Sequence, residues 1–288
     1  MAPDYLEHLM QQRSQTRLLR FDEQIVATTV LADLDAALVD RFRTELSDDT
    51  FRVFAKKLAM AATDGDGVVR LTVAGVLLGT QNPQRWLPGA FIQAVAYRGT
   101  SIAAGVGYQL DAKDLTGPLD QQIVEGCRFV APNMRTGASK DVGRSDTPQY
   151  EMTAVFEALV NAVAHRDYPM YGSKIRLRIF ADRLEIFTPG PLANTMTVES
   201  LAMRQASRNE TIGSLLACRP VQRTPGVVVT TRKTLMDRRG EDVPLIPRSS
   251  EELSGVRPVY ATIDESELIL RIHAASALNR EGTPTTRG

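Results

Sequence analysis

Cysteine is scarce: Cys127 and Cys218 are the two in 288 residues. They are too few and too far apart for a disulfide framework, so each reads as a small buried thiol in a reducing compartment. Histidine is almost as thin. His8, His165 and His273 are scattered, and with two distant cysteines they argue against a zinc site. There is no net charge, with 34 Lys plus Arg against 34 Asp plus Glu, so any basic surface has to be local. Long apolar runs are missing too. The longest stretch, roughly Val68 to Gly79, is broken by Arg70 and falls well short of the ~20 residues that cross a bilayer. The N-terminus, MAPDYLEHLMQQRSQTR, has no apolar core and no small-residue cleavage site, so no secretory signal is expected and the cytoplasm is the expected location, with no membrane partner. No GxxxxGK[ST] occurs, which excludes a P-loop motor. His165-Arg166-Asp167 imitates a kinase catalytic loop, but no Asn follows at the required spacing and no Gly-rich loop or lysine strand precedes it.

What is present is ordinary globular composition, 43% hydrophobic and 24% charged, with room for one large or two modest domains. Leu34, Leu38, Phe42 and Leu46 form one helical stripe and Phe51, Phe54 and Leu58 a second, predicting two helices broken near Ser47-Asp48-Asp49. RLTVAGVLLG fits a short buried helix or a strand. Ala90 to Tyr97 reads as a strand and Leu119 to Val130 as a helix. Residues 131–148 are rich in Pro, Gly, Ser and charge, the pattern of an exposed linker, and place a domain boundary there. Beyond it the pattern predicts a helix over Tyr150 to His165, then the strands KIRLRIF and RLEIF around Ala181-Asp182-Arg183. A long irregular segment from Pro189 to about Arg239 encloses one helix at Glu210 to Cys218. VYATI and LILRI form a second hairpin, and the tail over 276–288 reads as disordered.

In YEMTAVFEALVNAVAHRDY, Glu157, Asn161 and His165 recur four apart and make one polar row, flanked by Ala154, Ala158, Ala162 and Ala164. Small neighbours leave space for a ligand. A Glu at that distance from an Asn can orient a water as general base while the amide oxygen reaches magnesium, a pair suited to cleaving a phosphoanhydride. Spacing alone favours a solvent-facing stripe on an amphipathic helix, since polar rows are what surface helices have.

EALVNAVAHRDY, followed by GSKIRLRIFADRLEIFTPGPL and then RQASRNETIGSLL, resembles the ATP-binding domain at the C-terminus of RecG-related proteins. That domain is similar to a divergent branch of the gyrase, heat-shock chaperone, histidine kinase and MutL (GHKL) superfamily. The resemblance covers about residues 150–275, and RLTVAGVLLGTQNPQRWLPGAFIQAVAYRG resembles the segment preceding that domain. It implies an α+β fold in which an N-terminal mixed α/β region over 1–145, the end of an Alba- or Schlafen-like region, leads into a GHKL-like sandwich with a mostly antiparallel sheet. It also implies Glu157 as catalytic base, Asn161 as magnesium ligand, and ATP with Mg2+ as cofactors. Nucleotide-binding positions by the same resemblance are Thr188, Gly190, Arg208, Asn209 and Gly240. Departures are visible: Thr188-Pro189-Gly190 stands where the superfamily carries an adenine-binding Asp, Asp242 stands where a phosphate-loop Gly is usual, and Ala164 replaces an Asp of many relatives.

Residues 193–240 correspond to the lid over ATP. They hold Arg204, Arg208, Arg219, Arg223, Arg232, Lys233, Arg238 and Arg239 against Glu199, Glu210 and Asp237, a basic segment able to clamp a triphosphate, contact nucleic acid or remain a solvated loop. The expected function is ATP binding as a conformational switch, with slow hydrolysis, in transcriptional or DNA-linked regulation by a cytoplasmic protein. A homo-oligomer is compatible with it. The competing expectation is a nucleotide-independent binding module that keeps the fold.

Overall fold

A computed structural model describes residues 20–45, 47–102, 108–139, 145–170, 172–192, 197–198, 208–237, 242–264 and 266–276. Residues 277–288 of the expected tail and Gly240 lie outside the described residues. Where two helices were expected before residue 62, only short ones form, α1 (Ala36–Asp40) and α2 (Phe51–Lys57). Asp35 caps α1 by accepting from the Leu38 N–H at 3.1 Å. The ambiguous RLTVAGVLLG is both things at once. Strand β2 (Val69–Leu71) pairs with β1 (Ala61–Thr63), and α3 (Val73–Gly79) follows immediately, buried along its whole length. Thr72 makes the change of period possible: its Oγ1 accepts from the Gly75 N–H at 3.0 Å. A side chain at Gly75 would collide with the Met60 carbonyl oxygen, so the close crossing of α3 over Met60 requires glycine.

Strands β3 (Ile92–Tyr97) and β4 (Gln109–Leu115) and helix α4 (Leu119–Asn133) follow. The expected linker is structured at both ends. Helix α4 runs into it as far as Asn133, and β5 (Thr136–Ser139) pairs antiparallel with β6 (Ser145–Pro148). Then come α5 (Met152–His165), β7 (Ile175–Ile179), β8 (Arg183–Pro189), α6 (Glu210–Cys218), α7 (Asp242–Ser254), β9 (Val259–Ile263) and β10 (Glu267–His273). No helix was expected over residues 242–254, which hold Pro244 and Pro247. Pro244 falls in the first turn, where no intrahelical N–H is needed, and Pro247 lies inside the helix.

The fold is α+β. Its main sheet has six strands in the order β4-β3-β7-β8-β10-β9, antiparallel except for the parallel pair β3–β7. Helices α4, α5 and α7 cover one face. That parallel pair joins strands from either side of residues 131–148, so one sheet and one core run across the expected boundary. Alternation along β7 and β8 decides which residues face the helices. Ile175, Leu177, Ile179, Leu184 and Ile186 enter the core beneath α5, while Arg176, Arg178, Glu185 and Phe187 occupy the opposite face. The thiols differ from expectation: Cys127 is buried but Cys218 is exposed.

Candidate functional site

Helix α5 forms because apolar side chains at helical spacing bury Val155, Phe156, Leu159, Val160 and Val163, each contributing about 1.5–3 kcal/mol. Glu151 opens it by accepting from the Thr153 N–H at 3.1 Å. Its polar row is not a solvent-facing stripe. Glu157 is 0% exposed, whereas Asn161 and His165 are partly exposed. The neighbouring Ala154, Ala158 and Ala162 are buried and small. Over this row lies Arg232, from the segment following α6. Its Nη2 stands 2.8 Å from Glu157 Oε2 in an ion pair, and Glu157 Oε1 has no hydrogen-bond partner among the described residues.

The electrostatics follow from that burial. Desolvation pushes the Glu157 carboxyl up to about 7; Arg232 pulls the other way and Asp237 adds to the rise. Cys127 lies close enough to Glu157 that the carboxylate adds to burial in pushing its thiol up to about 12. His165 moves down to about 4, through burial and then the charge of Arg208, so it is neutral at pH 7.

At the C-terminal end of α5 the chain doubles back against the end of β8. Thr188 is nearly buried and lies opposite Leu268, on the helix side of the sheet. Gly190 has φ +115°, and a Cβ there would come within 2.5 Å of the Asp167 Cβ. The approach is fixed by the Asp167 N–H donating to the Pro189 carbonyl at 2.8 Å and the Gly190 N–H donating to Ser266 at 2.7 Å. Arg208 holds Asp167 at 2.7 Å and donates to the Pro191 carbonyl at 2.6 Å. Asn209 is fully buried and donates to the carbonyls of Ala164 and Arg166 at 2.9 and 2.8 Å, closing the last turn of α5. The Arg208-Asn209 block thus ties the end of α5 to the glycine turn. Arg166 is a buried structural cation whose Nη2 donates to the carbonyls of Gly89, Met170 and Ser173 while its guanidinium stacks on Tyr168.

Among the described residues of the basic segment, Arg208, Arg219 and Arg232 form ion pairs with the body of the protein. Arg219 pairs with Asp120 at 3.2 Å, alongside Arg41 at 2.7 Å from the same carboxylate. Arg223 donates to the carbonyls of Thr231 and Arg232, closing a turn within the segment. Arg204, Arg238 and Arg239 lie outside the described residues. The N-terminus of α6 already holds an anion: Asp22 Oδ2 accepts from the Thr211 and Ile212 N–H groups at 2.8 and 3.0 Å, across 189 residues in the first case. Burial raises the Asp22 pKa and these two N–H groups oppose the rise. Neither Asp22 nor the Glu157–Arg232 pairing carries a local signal, because each contact joins segments remote in sequence.

The structure therefore brings Glu157 and Asn161 together on one helix, and Thr188, Gly190, Arg208 and Asn209 together around that helix's C-terminal end. Among the described residues no cluster of three or more His, Cys, Asp or Glu could hold a metal by itself. The amide oxygen of the partly exposed Asn161 is the one ligand this row would offer magnesium, which takes few protein ligands and draws the rest from phosphates and water.

Residues 172–271 match the family model described as "Putative ATP-dependent DNA helicase recG C-terminal". Glu157 and Asn161 lie N-terminal to that match. Among solved structures, the DIP2311 protein from Corynebacterium diphtheriae is similar over 92% of this chain, with a TM-score of 0.62 and 20% identity. At that identity the likeness shows the fold, and this chain spans 50% of that protein's length. No curated protein matches. Among the described residues no helix is long and apolar enough to cross a membrane.

Proposed function

We propose, from the premise that the C-terminal region is a divergent GHKL-type ATPase-like domain of the RecG-related family, that it binds ATP with magnesium as a conformational switch and hydrolyses it slowly. The observation that carries this reading is Glu157: a carboxylate withdrawn from water, facing a single lid guanidinium at 2.8 Å, one turn from Asn161. Burial keeps its basicity near neutral pH, the range in which a general base both exists as carboxylate and accepts a proton readily. Asn161 would hold the metal by its amide oxygen. Gly190 lets the β8 end approach Asp167. Magnesium, when bound, supplies charge neutralisation on the phosphates. Arg232 favours the charged form of Glu157 against burial while the site is at rest, and release of that pair is the event that couples the base to the lid. A role in transcriptional or DNA-linked regulation is the wider context we propose for the switch.

The second reading, a nucleotide-independent binding module, draws on two observations: Thr188 supplies no carboxylate for an adenine amino group, and Asp22 already fills the anion site of α6. Calorimetric titration with magnesium and ATP separates the two. Binding that Asn161→Ala abolishes together with its magnesium dependence supports the switch. A ligand at ~100 times its dissociation constant stabilises by about 2.7 kcal/mol, so no heat and no thermal shift at millimolar magnesium-ATP would assign the domain to the binding-module reading.

A further inference from the structure

The two edges of the main sheet are built differently. Edge strand β4 carries Asp111, Lys113 and Asp114, charges of the kind that keep an edge from pairing with another chain. Edge strand β9, Val259-Tyr260-Ala261-Thr262-Ile263, carries none, and among the described residues no strand pairs with its outer side. Its side chains alternate. Tyr260 sits toward the helices, opposite Leu270, while Val259 and Ile263 are 44% and 36% exposed on the other face. With Val256, they make three of the eight large exposed apolar side chains fall within eight consecutive residues. Arg257, just before the strand, and Asp264, just after it, are both exposed, and neither has an ion-pair partner among the described residues.

We propose that β9 is a self-association edge, pairing antiparallel with β9 of a second copy of this chain about a two-fold axis at Ala261. In that register Val259 meets Ile263 of the second copy, Tyr260 meets Thr262, and Ala261 meets its own counterpart, where a small side chain suits the close approach of two strands. The apolar residues of both strands stay on one face, and Arg257 of each copy reaches the Asp264 end of the other. The charges at the strand ends thus complement each other in the antiparallel arrangement and oppose each other in a parallel one. The interface is isologous and closes at two copies, because the charged edge β4 blocks growth from the far side. A pair of five-residue strands buries less than the ~1,200 Å² of a stable complex, so the dimer is reversible and concentration-dependent. This inference does not rest on nucleotide binding.

Sedimentation equilibrium of the whole chain without nucleotide tests it. The expected mass rises from monomer to dimer with concentration and goes no further. Ala261→Lys, which sets two like charges face to face, and Val259→Lys, at an exposed position that leaves the core untouched, should each weaken dimerisation at least tenfold. In a Cys218→Ser background, Ala261→Cys should cross-link two copies under mild oxidation. Circular dichroism checks that each variant is folded. A monomer at every concentration overturns the proposal, as does a dimer that both lysine variants leave unchanged or one whose Ala261→Cys form fails to cross-link.

Discussion

A buried carboxylate that is costly to ionise should leave a mark on stability, and Glu157 is the place to measure it. Its folded-state pKa is about 7 against an ordinary 4.5, raised chiefly by burial. Below the lower value both states hold the proton and nothing is lost. Between the two values the folded state holds a proton that the unfolded state has released, so stability falls as pH rises, and above about 7 the loss is complete. At about 1.36 kcal/mol per pH unit the gap amounts to roughly 3 kcal/mol. Glu157→Gln keeps the shape and removes the charge. The variant should match wild type at pH 4.5 and exceed it by up to about 3 kcal/mol at pH 8.

Denaturant unfolding of both proteins at several pH values is the assay, read as the difference between them. That difference removes the other titrating groups. His165, whose folded pKa is lowered to about 4, contributes stability that is lost as pH falls. The raised Asp22 acts in the same sense as Glu157. Arg232→Met should push the Glu157 pKa further up and extend the fall in stability to higher pH, with its onset unchanged, since the ion pair at 2.8 Å opposes burial. A Gln variant no more stable than wild type at pH 8 would refute the reasoning, because Glu157 would then be solvated or better paired than its surroundings indicate.

Glu157→Gln should also leave magnesium-ATP binding nearly intact while abolishing turnover, measured as phosphate release, because an amide cannot take the proton of an attacking water. Asp22→Ala should destabilise the fold by about 0.5–2 kcal/mol, as the loss of a helix cap does, while Asp22→Asn retains most of the stability in thermal melts. Trypsin should cut within residues 204–239 of the free protein and be slowed there by magnesium-ATP. Protection by DNA alone would assign the segment to a nucleic-acid partner instead.

The parts legible in the sequence were those with local causes. Helix α5, the two hairpins β7–β8 and β9–β10, and α6 with its termini at Glu210 and Cys218 follow from periodicity and turn residues alone. The Glu157-Asn161 row was legible as a row, but its burial was not, since that depends on Arg232 arriving from 75 positions later. Arg208 and Asn209 read as a block that meets phosphate, and the structure engages them with Asp167, Pro191 and the end of α5. The charge excess of residues 193–240 was counted within the segment, while two of the balancing carboxylates, Asp120 and Asp167, lie far outside it. Helix α7 carries Pro244 in its first turn, where a positional rule that composition does not reveal allows it, and Pro247 inside.

The candidate site depends on residues from the whole length of the chain, and this bears on what the segment matched by the family model does by itself. Strand β7 opens that segment and is an inner strand only because β3 pairs with it in parallel. Without β3 and β4 the edge of β7 would be exposed along with the apolar faces of Ile175, Leu177 and Ile179. The turn beyond α5 is fastened by Arg166 to the Gly89 carbonyl, α6 is capped by Asp22, and Arg219 is held by Asp120. Each of these partners precedes residue 131. Glu157 and Asn161 also precede the matched residues, and their helix packs between α4 and α7. The groups that could perform chemistry are therefore positioned by the earlier half of the chain, and α6 and Arg219, which follow them, are anchored to that half. In the proposed switch, motion of Arg232 would pass to α5 through its ion pair with Glu157 and to α4 through the packed helices. Residues 20–133 supply the partners that hold Arg166, the start of α6 and Arg219 in place.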